Sequence, residues 1–158
     1  VRLMVVGMGL VGKTSLVRAL QSQNDHCDAI EEDDRTIGID IQRWRPSPNG
    51  QLEFNIWDCA GQKVYNATHQ FFFSRRSVFL LTWCLSENEG EAVDEGVLRQ
   101  WLDMLQLRVP GARVLLVATH ADLVSKETRD KEIAAVKALV ASILAQQREA
   151  VFAQLQQL

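Results

Sequence analysis

The sequence predicts an α/β fold built on a mostly parallel sheet, and three features carry that prediction. Strand-like and helix-like segments alternate along the chain. A glycine-rich loop, Gly7–Thr14, joins the first strand to the first helix. Two neighbouring strand segments flank a turn, Pro46–Gly50, that marks a hairpin inside the otherwise alternating order.

Each element follows from its local pattern. Arg2–Val6 is an apolar run of strand length, and Thr14–Gln23 reads as the first helix. The polar stretch Asn24–Arg35, with the acidic run Glu31–Asp34, has too little apolar content to pack and is expected to be a loop facing water. Ile37–Arg45 sets Ile39, Ile41 and Trp44 against polar neighbours, and Gln51–Trp57 returns as its hairpin partner. Ser77–Leu85 is nearly unbroken apolar sequence, the signature of a strand buried on both faces. Ala92–Leu107 places Val93, Val97, Leu98, Trp101, Leu102 and Leu105 on one helical stripe. Pro110-Gly111 ends that region, and Val114–Ala118 is the next buried strand. From Lys126 to Leu158 there is neither Gly nor Pro, and Ile133, Val136, Val140, Ile143, Leu144, Val151, Leu155 and Leu158 recur at helical spacing. A helix of about 30 residues is roughly 45 Å long. It either breaks near Ala145–Glu149 or projects towards a neighbouring domain or subunit, and the projecting form is favoured.

The bulk properties bound the function. A chain of 158 residues with 47% apolar and 23% charged content suits one soluble domain, residues 1–158, with a real core. A net charge of −3 gives no electrostatic support for nucleic-acid or anionic-membrane binding. No apolar run approaches the roughly 20 residues that cross a bilayer. Cys27, Cys59 and Cys84 are odd in number and lack metal-ligand spacing, which points to a reducing, cytoplasmic setting. The chain starts at Val1, almost on the first strand, and reads as part of something longer. It holds no internal repeat or low-complexity tract.

The chemistry begins at Gly7-Met-Gly-Leu-Val-Gly-Lys-Thr14, a complete G-x-x-x-x-G-K-[ST] loop between a buried strand and a helix. With the alternation, it specifies a P-loop NTPase three-layer sandwich: a mostly parallel twisted sheet with one antiparallel hairpin strand and helices on both faces. Gly7 and Gly12 let the backbone turn its N–H groups inward to make a nest for phosphate oxygens, and the helix N-terminus adds to that field. Gly7, Gly9, Leu10, Val11, Gly12, Lys13, Thr14 and Ser15 are therefore the candidates to hold a nucleotide's phosphates. Lys13 reaches the β- and γ-phosphates, and the Thr14 hydroxyl ligates Mg²⁺.

Asp58-Cys-Ala-Gly61-Gln62 leaves the sheet at the end of the second hairpin strand. A carboxylate there can hold Mg²⁺ through water, the Gly61 N–H can approach a γ-phosphate, and Gln62 can orient an attacking water. Gln62, Lys13 and Gly61 are the candidate catalytic residues. Thr36 can complete the metal shell when a γ-phosphate is present, so Thr14, Thr36 and Asp58 form the candidate metal set. Arg35 reads as an exposed loop residue before an arginine finger. Thr119-His120-Ala121-Asp122 follows the Val114–Ala118 strand, and the Asp122 carboxylate can accept hydrogen bonds from the N1–H and N2–H₂ edge of guanine, which adenine lacks.

The set Gly7–Thr14, Thr36, Asp58–Gln62 and Asp122 resembles the first four sequence boxes of Ras-superfamily GTPases. Three strings, Thr36–Trp44, Phe54–Asp58 and Ala118–Leu123, resemble the Roc (Ras-of-complex) domains of Roco proteins, in particular the leucine-rich-repeat kinase type. Thr119-His120-Ala121-Asp122 matches the family's Thr-His-x-Asp where small GTPases have Asn-Lys-x-Asp. The match covers about residues 1–125. It implies a GTP/GDP switch with Mg²⁺, working beside a COR dimerisation domain and a kinase in the full protein, with leucine-rich repeats before Val1 and a homodimer as the assembly this allows. Gln62 and Gly9 favour retained hydrolysis. The family's fifth box, a Ser-Ala-Lys-like loop over the base, is not found before Leu158, so weaker guanine binding than in small GTPases is expected. Two other readings stand beside the slow GTPase: a GDP-stabilised interaction module acting through Lys126–Leu158, and an ATP-using P-loop enzyme, which Asp122 disfavours.

Overall fold

Side chains of an extended strand point alternately to its two faces, and in the first strand both sets are apolar: Leu3 and Val5 on one side, Met4 and Val6 on the other, all buried. A strand of this kind belongs in the middle of a sheet. A computed structural model of the chain describes residues 1–22, 36–47, 49–61, 68–86 and 95–155, with only the backbone described for 151–155. The expectations for Asn24–Arg35, Gln62, Ala92, Val93 and Leu158 lie outside the described residues.

The five strands are β1 (Arg2–Gly7), β2 (Ile39–Trp44), β3 (Phe54–Cys59), β4 (Ser77–Cys84) and β5 (Arg113–Thr119). They line up in the order β2-β3-β1-β4-β5, with β1 in the centre. β1 pairs in parallel with β3 and β4, β4 in parallel with β5, and β2 antiparallel with β3. This is the mostly parallel sheet with one antiparallel hairpin strand. The chain leaves β1 towards β3 on one side and returns to β4 on the other. The carboxyl end of β1 is therefore the point where the winding reverses, and ligands of open α/β sheets bind there.

Helix α1 (Lys13–Gln21) covers one face through Val17, which packs with Leu3, Val5, Ile56 and Leu80. Helices α2 (Glu95–Arg108) and α3 (Lys126–Leu155) take the other. There Leu98, Trp101 and Leu105 of α2 and Val136 of α3 meet Met4, Val6, Phe79 and Leu81. Helices thus lie on both faces. None of the described helices is long and apolar enough to cross a membrane.

Five expectations are corrected, the last of them for the terminal helix. β2 starts at Ile39, not Ile37, and β3 starts at Phe54, not Gln51, and runs to Cys59. The three apolar residues of β2 do not share a face, because 39 and 41 are two apart whereas 44 is odd in phase. Ile39 packs with the α2 side, while Trp44 packs with the α1 side and stacks on Phe54 at 5.3 Å. α1 ends at Gln21, since Ser22 turns extended at φ −68° and ψ 138°.

The last helix does not break near Ala145–Glu149: it is continuous from Lys126 to Leu155, and its first part folds back on α2. Val136 and Ile143 are buried and Leu139 and Val140 partly so, a stripe at steps of three and four. Arg99 donates to Gln146 and Gln147 donates to Asp103, which carries the docking as far as residue 147. Leu144 points away from that stripe and is exposed.

Candidate functional site

The phosphate loop starts where β1 ends, at Gly7. A Cβ there would collide with Thr82 O, and the Thr82 hydroxyl donates to Val6 O at 3.0 Å, so β4 braces the loop's first turn. Leu10 and Gly12 both sit at positive φ, 66° and 77°. Such reversals aim successive N–H groups into one concavity. Leu10 was expected in the loop on motif position alone; its left-handed backbone has no signal in a residue type that rarely adopts it.

Gly12 is the N-cap of α1, without a side-chain cap and without an acidic residue in the first turn. Among the described residues, no backbone carbonyl accepts from the N–H groups of Leu10 to Ser15. A helix N-terminus with free donors favours an anion. Lys13 is 6% exposed, and its Nζ donates to Met8 O at 2.5 Å, which holds the ammonium inside the loop. Burial pulls the Lys13 pKa down, and the nearby Asp58 charge opposes that pull.

The three expected metal residues meet. Thr14 Oγ1 donates to Asp58 Oδ2 at 2.5 Å, and Thr36 Oγ1 stands 2.9 Å from Thr14 Oγ1 and 3.2 Å from Asp58 Oδ2. Asp58 is 1% exposed, and among the described residues its Oδ1 has no partner. Burial pushes its pKa up, against the Thr14 hydrogen bond and the Lys13 charge. A buried carboxylate oxygen without a donor beside two hydroxyls is a hard-oxygen set that fits Mg²⁺, which takes one or two carboxylates and completes its shell with waters and substrate phosphates. No cluster of three His, Cys, Asp or Glu occurs among the described residues.

Gly61 presses on the loop. A Cβ built on it would strike Met8 O and Lys13 Nζ and lie 2.5 Å from Gly9 N. Only a residue without a side chain fits there. Gln62, the next candidate, is outside the described residues.

Thr119 and His120 reach the loop from the end of β5. Thr119 Oγ1 lies 2.7 Å from Val11 O, 2.9 Å from Trp83 O and 3.1 Å from His120 Nδ1. His120 is at φ 58°, and its Cε1 would be 3.4 Å from a Cβ on Gly12. Asp122 lies in the following turn and is exposed. A cavity of about 320 Å³ opens beside the loop, lined by Leu10, Cys84, Leu85, Ser86, His120, Leu123 and Val124. Asp122 does not line it. Gly7, Gly9, Leu10, Val11, Gly12, Lys13, Thr14, Ser15, Thr36, Asp58, Gly61, Thr119 and His120 thus share one end of the sheet, and Asp122 is exposed in the turn that follows β5.

One residue of this neighbourhood had no sequence signal. His69, 1% exposed, places Nε2 3.2 Å from Gly38 O, which also accepts from Ala60 N–H at 2.9 Å. A carbonyl only accepts, so Nε2 carries the proton. The contact ties the chain just after Thr36 to the chain just before Gly61. Burial lowers the His69 pKa.

Comparison with known proteins bears on this geometry. The family model described as Ras of Complex, Roc, domain of DAPkinase matches residues 2–122. The probable serine/threonine-protein kinase pats1 of Dictyostelium discoideum is 34% identical over 144 residues, 80% of this chain and 4% of that protein. Leucine-rich repeat serine/threonine-protein kinase 1 of Mus musculus is 32% identical over 152 residues, 90% of this chain and 7% of that protein. Among solved structures, that of Methanosarcina barkeri Roco2 RocCORdC bound to GDP matches with a TM-score of 0.58 and 31% identity, over 78% of this chain and 35% of that one. The chain thus spans only a small part of its curated relatives.

Proposed function

This chain belongs to the Roc (Ras of Complex) family, and from that premise we propose that it is a guanine-nucleotide switch that binds GTP and GDP with Mg²⁺ and slowly hydrolyses GTP. The observation that carries the reading is the meeting of Thr14, Thr36 and Asp58 beside the buried Lys13 at the mouth of the phosphate loop. The N–H groups of Leu10–Ser15 take the phosphate oxygens, and Lys13 leaves Met8 O to neutralise the β- and γ-phosphates. Mg²⁺, when bound at Thr14, Thr36 and Asp58, supplies charge neutralisation on the phosphates. Gly61 N–H faces the γ-phosphate and Gln62 orients water, so catalysis is positioning and electrostatics. Asp122, in the turn after Thr119 and His120, reads the guanine edge.

In the wider protein, residues 1–158 act as one GTPase domain next to COR and kinase domains, in the cytoplasm, with a homodimer as the assembly. The kinase names of the relatives support such neighbours. The test is titration calorimetry of GDP, GTP and ADP on the protein and on Lys13→Ala, with phosphate release under Mg²⁺ and excess GTP. GDP binding that is lost in Lys13→Ala and not competed by ADP supports the reading; GDP affinity unchanged by Lys13→Ala rejects the phosphate site. Intact GDP binding without any phosphate release selects the alternative, a GDP-stabilised interaction module.

A further inference from the structure

The carbonyl of Gly38 joins three parts of the chain. It accepts from Ala60 N–H at 2.9 Å and from His69 Nε2–H at 3.2 Å, which uses both of its lone pairs. Ala60 adjoins Gly61, His69 lies eight positions beyond Gly61, and Thr36 is two positions before the acceptor. The two sides of this contact are unequally held. His69 opens into the 3₁₀ turn Gln70–Phe72, and that turn is fastened to the rest of the fold. Phe73 meets Phe79 edge-on at 5.1 Å, Arg2 Nη1 donates to Phe72 O at 3.1 Å, and Arg108 Nε donates to Gln70 Oε1 at 2.9 Å. His69 itself is 1% exposed. The Gly38 side has little packing. Ile37 is 82% exposed, and a Cβ on Gly38 would meet none of the described atoms within 4 Å. A buried ring on a fixed platform therefore restrains a loosely packed chain, not the reverse.

The restraint acts on Thr36. Two residues of chain span at most about 7 Å. Pinning Gly38 O therefore keeps Thr36 near Thr14 and Asp58, where its hydroxyl stands at 2.9 and 3.2 Å. The same carbonyl holds Ala60 N–H, and with it the approach of Gly61 to Met8 and Gly9 of the loop. In the nucleotide reading above, Thr36 and Gly61 are the two groups that a third phosphate engages and a diphosphate does not. We propose that His69 is a positioning residue for the triphosphate state: by tethering Gly38 O it presets Thr36 and Gly61 together, and so sets the preference for GTP over GDP without touching the nucleotide. The proposal rests on that reading and adds to it a residue that lies outside the phosphate, metal and base motifs.

The experiment measures dissociation constants, with Mg²⁺, for GDP and for the non-hydrolysable β,γ-imido analogue of GTP. The parent is compared with His69→Phe, which keeps a ring but has no donor, and with His69→Gln, whose amide nitrogen takes the place of Nε2. Amide exchange of Ala60 is followed without nucleotide or metal. His69→Phe is expected to weaken the GTP analogue about tenfold and GDP by less than about twofold. Ala60 exchange should rise in His69→Phe, and His69→Gln should stay near the parent in both readouts. Equal weakening of the two nucleotides overturns the proposal, because His69 then only supports the fold. Equal behaviour of His69→Phe and His69→Gln overturns it too, because the donor is then irrelevant. Should His69→Phe fail to fold, His69→Asn, whose shorter amide falls short of Gly38 O, takes its role. If the parent binds neither nucleotide, the nucleotide reading falls, and Ala60 exchange still decides the tether: a rise in His69→Phe supports it and an unchanged rate rejects it.

Discussion

Replacing Gly61 by alanine puts a methyl group where the phosphate loop already is. The added Cβ would overlap Met8 O and Lys13 Nζ and sit 2.5 Å from Gly9 N, whereas ordinary contact begins near 3.4 Å. The ammonium of Lys13 can swing away, but only by giving up its bond to Met8 O. Met8 O and Gly9 N are backbone and have no such freedom, so the chain at Ala60–Gly61 must retreat by about 1 Å, and a displacement of that size in a reacting geometry costs about 100-fold in rate. Single-turnover hydrolysis of GTP with Mg²⁺ should therefore fall about 100-fold, close to 2.7 kcal/mol of barrier. GDP has no third phosphate to meet position 61 and should bind within about threefold of the parent, or 0.7 kcal/mol. Gly9→Ala is the matched control, since its Cβ would come no nearer to a neighbour than 3.7 Å, at Gly61 O, and GDP binding should survive it. Parent-rate hydrolysis by Gly61→Ala would refute the reasoning, and so would a loss of GDP binding as large as the loss of turnover.

The docking of α3 predicts that Ile143→Ala, which empties a site 1% exposed, lowers the thermal midpoint by about 5–15 °C, while Leu144→Ala, half exposed on the same helix, shifts it by less than about 2 °C. Equal shifts in differential scanning fluorimetry would mean that the helix is not seated on this face. His69 predicts a pH dependence. Its folded pKa is lowered from 6.5, so the unfolded chain takes up the proton first as pH falls. Stability contributed by the neutral ring is present above pH 6.5 and is lost below it, at no more than about 1.4 kcal/mol per pH unit for one proton. Urea unfolding between pH 7.5 and 5 should show this slope, and His69→Gln should flatten it; a slope unaltered in His69→Gln would show that other groups set it.

Most of the site could be read without coordinates, and the reason is local. A phosphate loop is a single stretch between one strand and one helix, so Gly7–Thr14 declares itself. Asp58 and Thr36 were recognisable because each sits at the edge of an element of known type, and the structure brings both to Thr14. The β2 phase error shows the limit of such reading. Counting apolar residues cannot tell which face Trp44 takes, because α1 and α2 offer apolar partners on opposite sides of the sheet.

The order of strands and helices, the phosphate loop and the candidate residues that gather beside it were determined by the sequence alone, since period, turn chemistry and motif spacing are properties of neighbours along the chain. Tertiary structure alone decided that α3 lies back along α2, that His69 closes on Gly38, and that Thr119 holds Val11 from 108 residues away. These contacts depend on which unpaired carbonyl or uncovered apolar face is within reach after the sheet has formed. No run of adjacent residues carries that information.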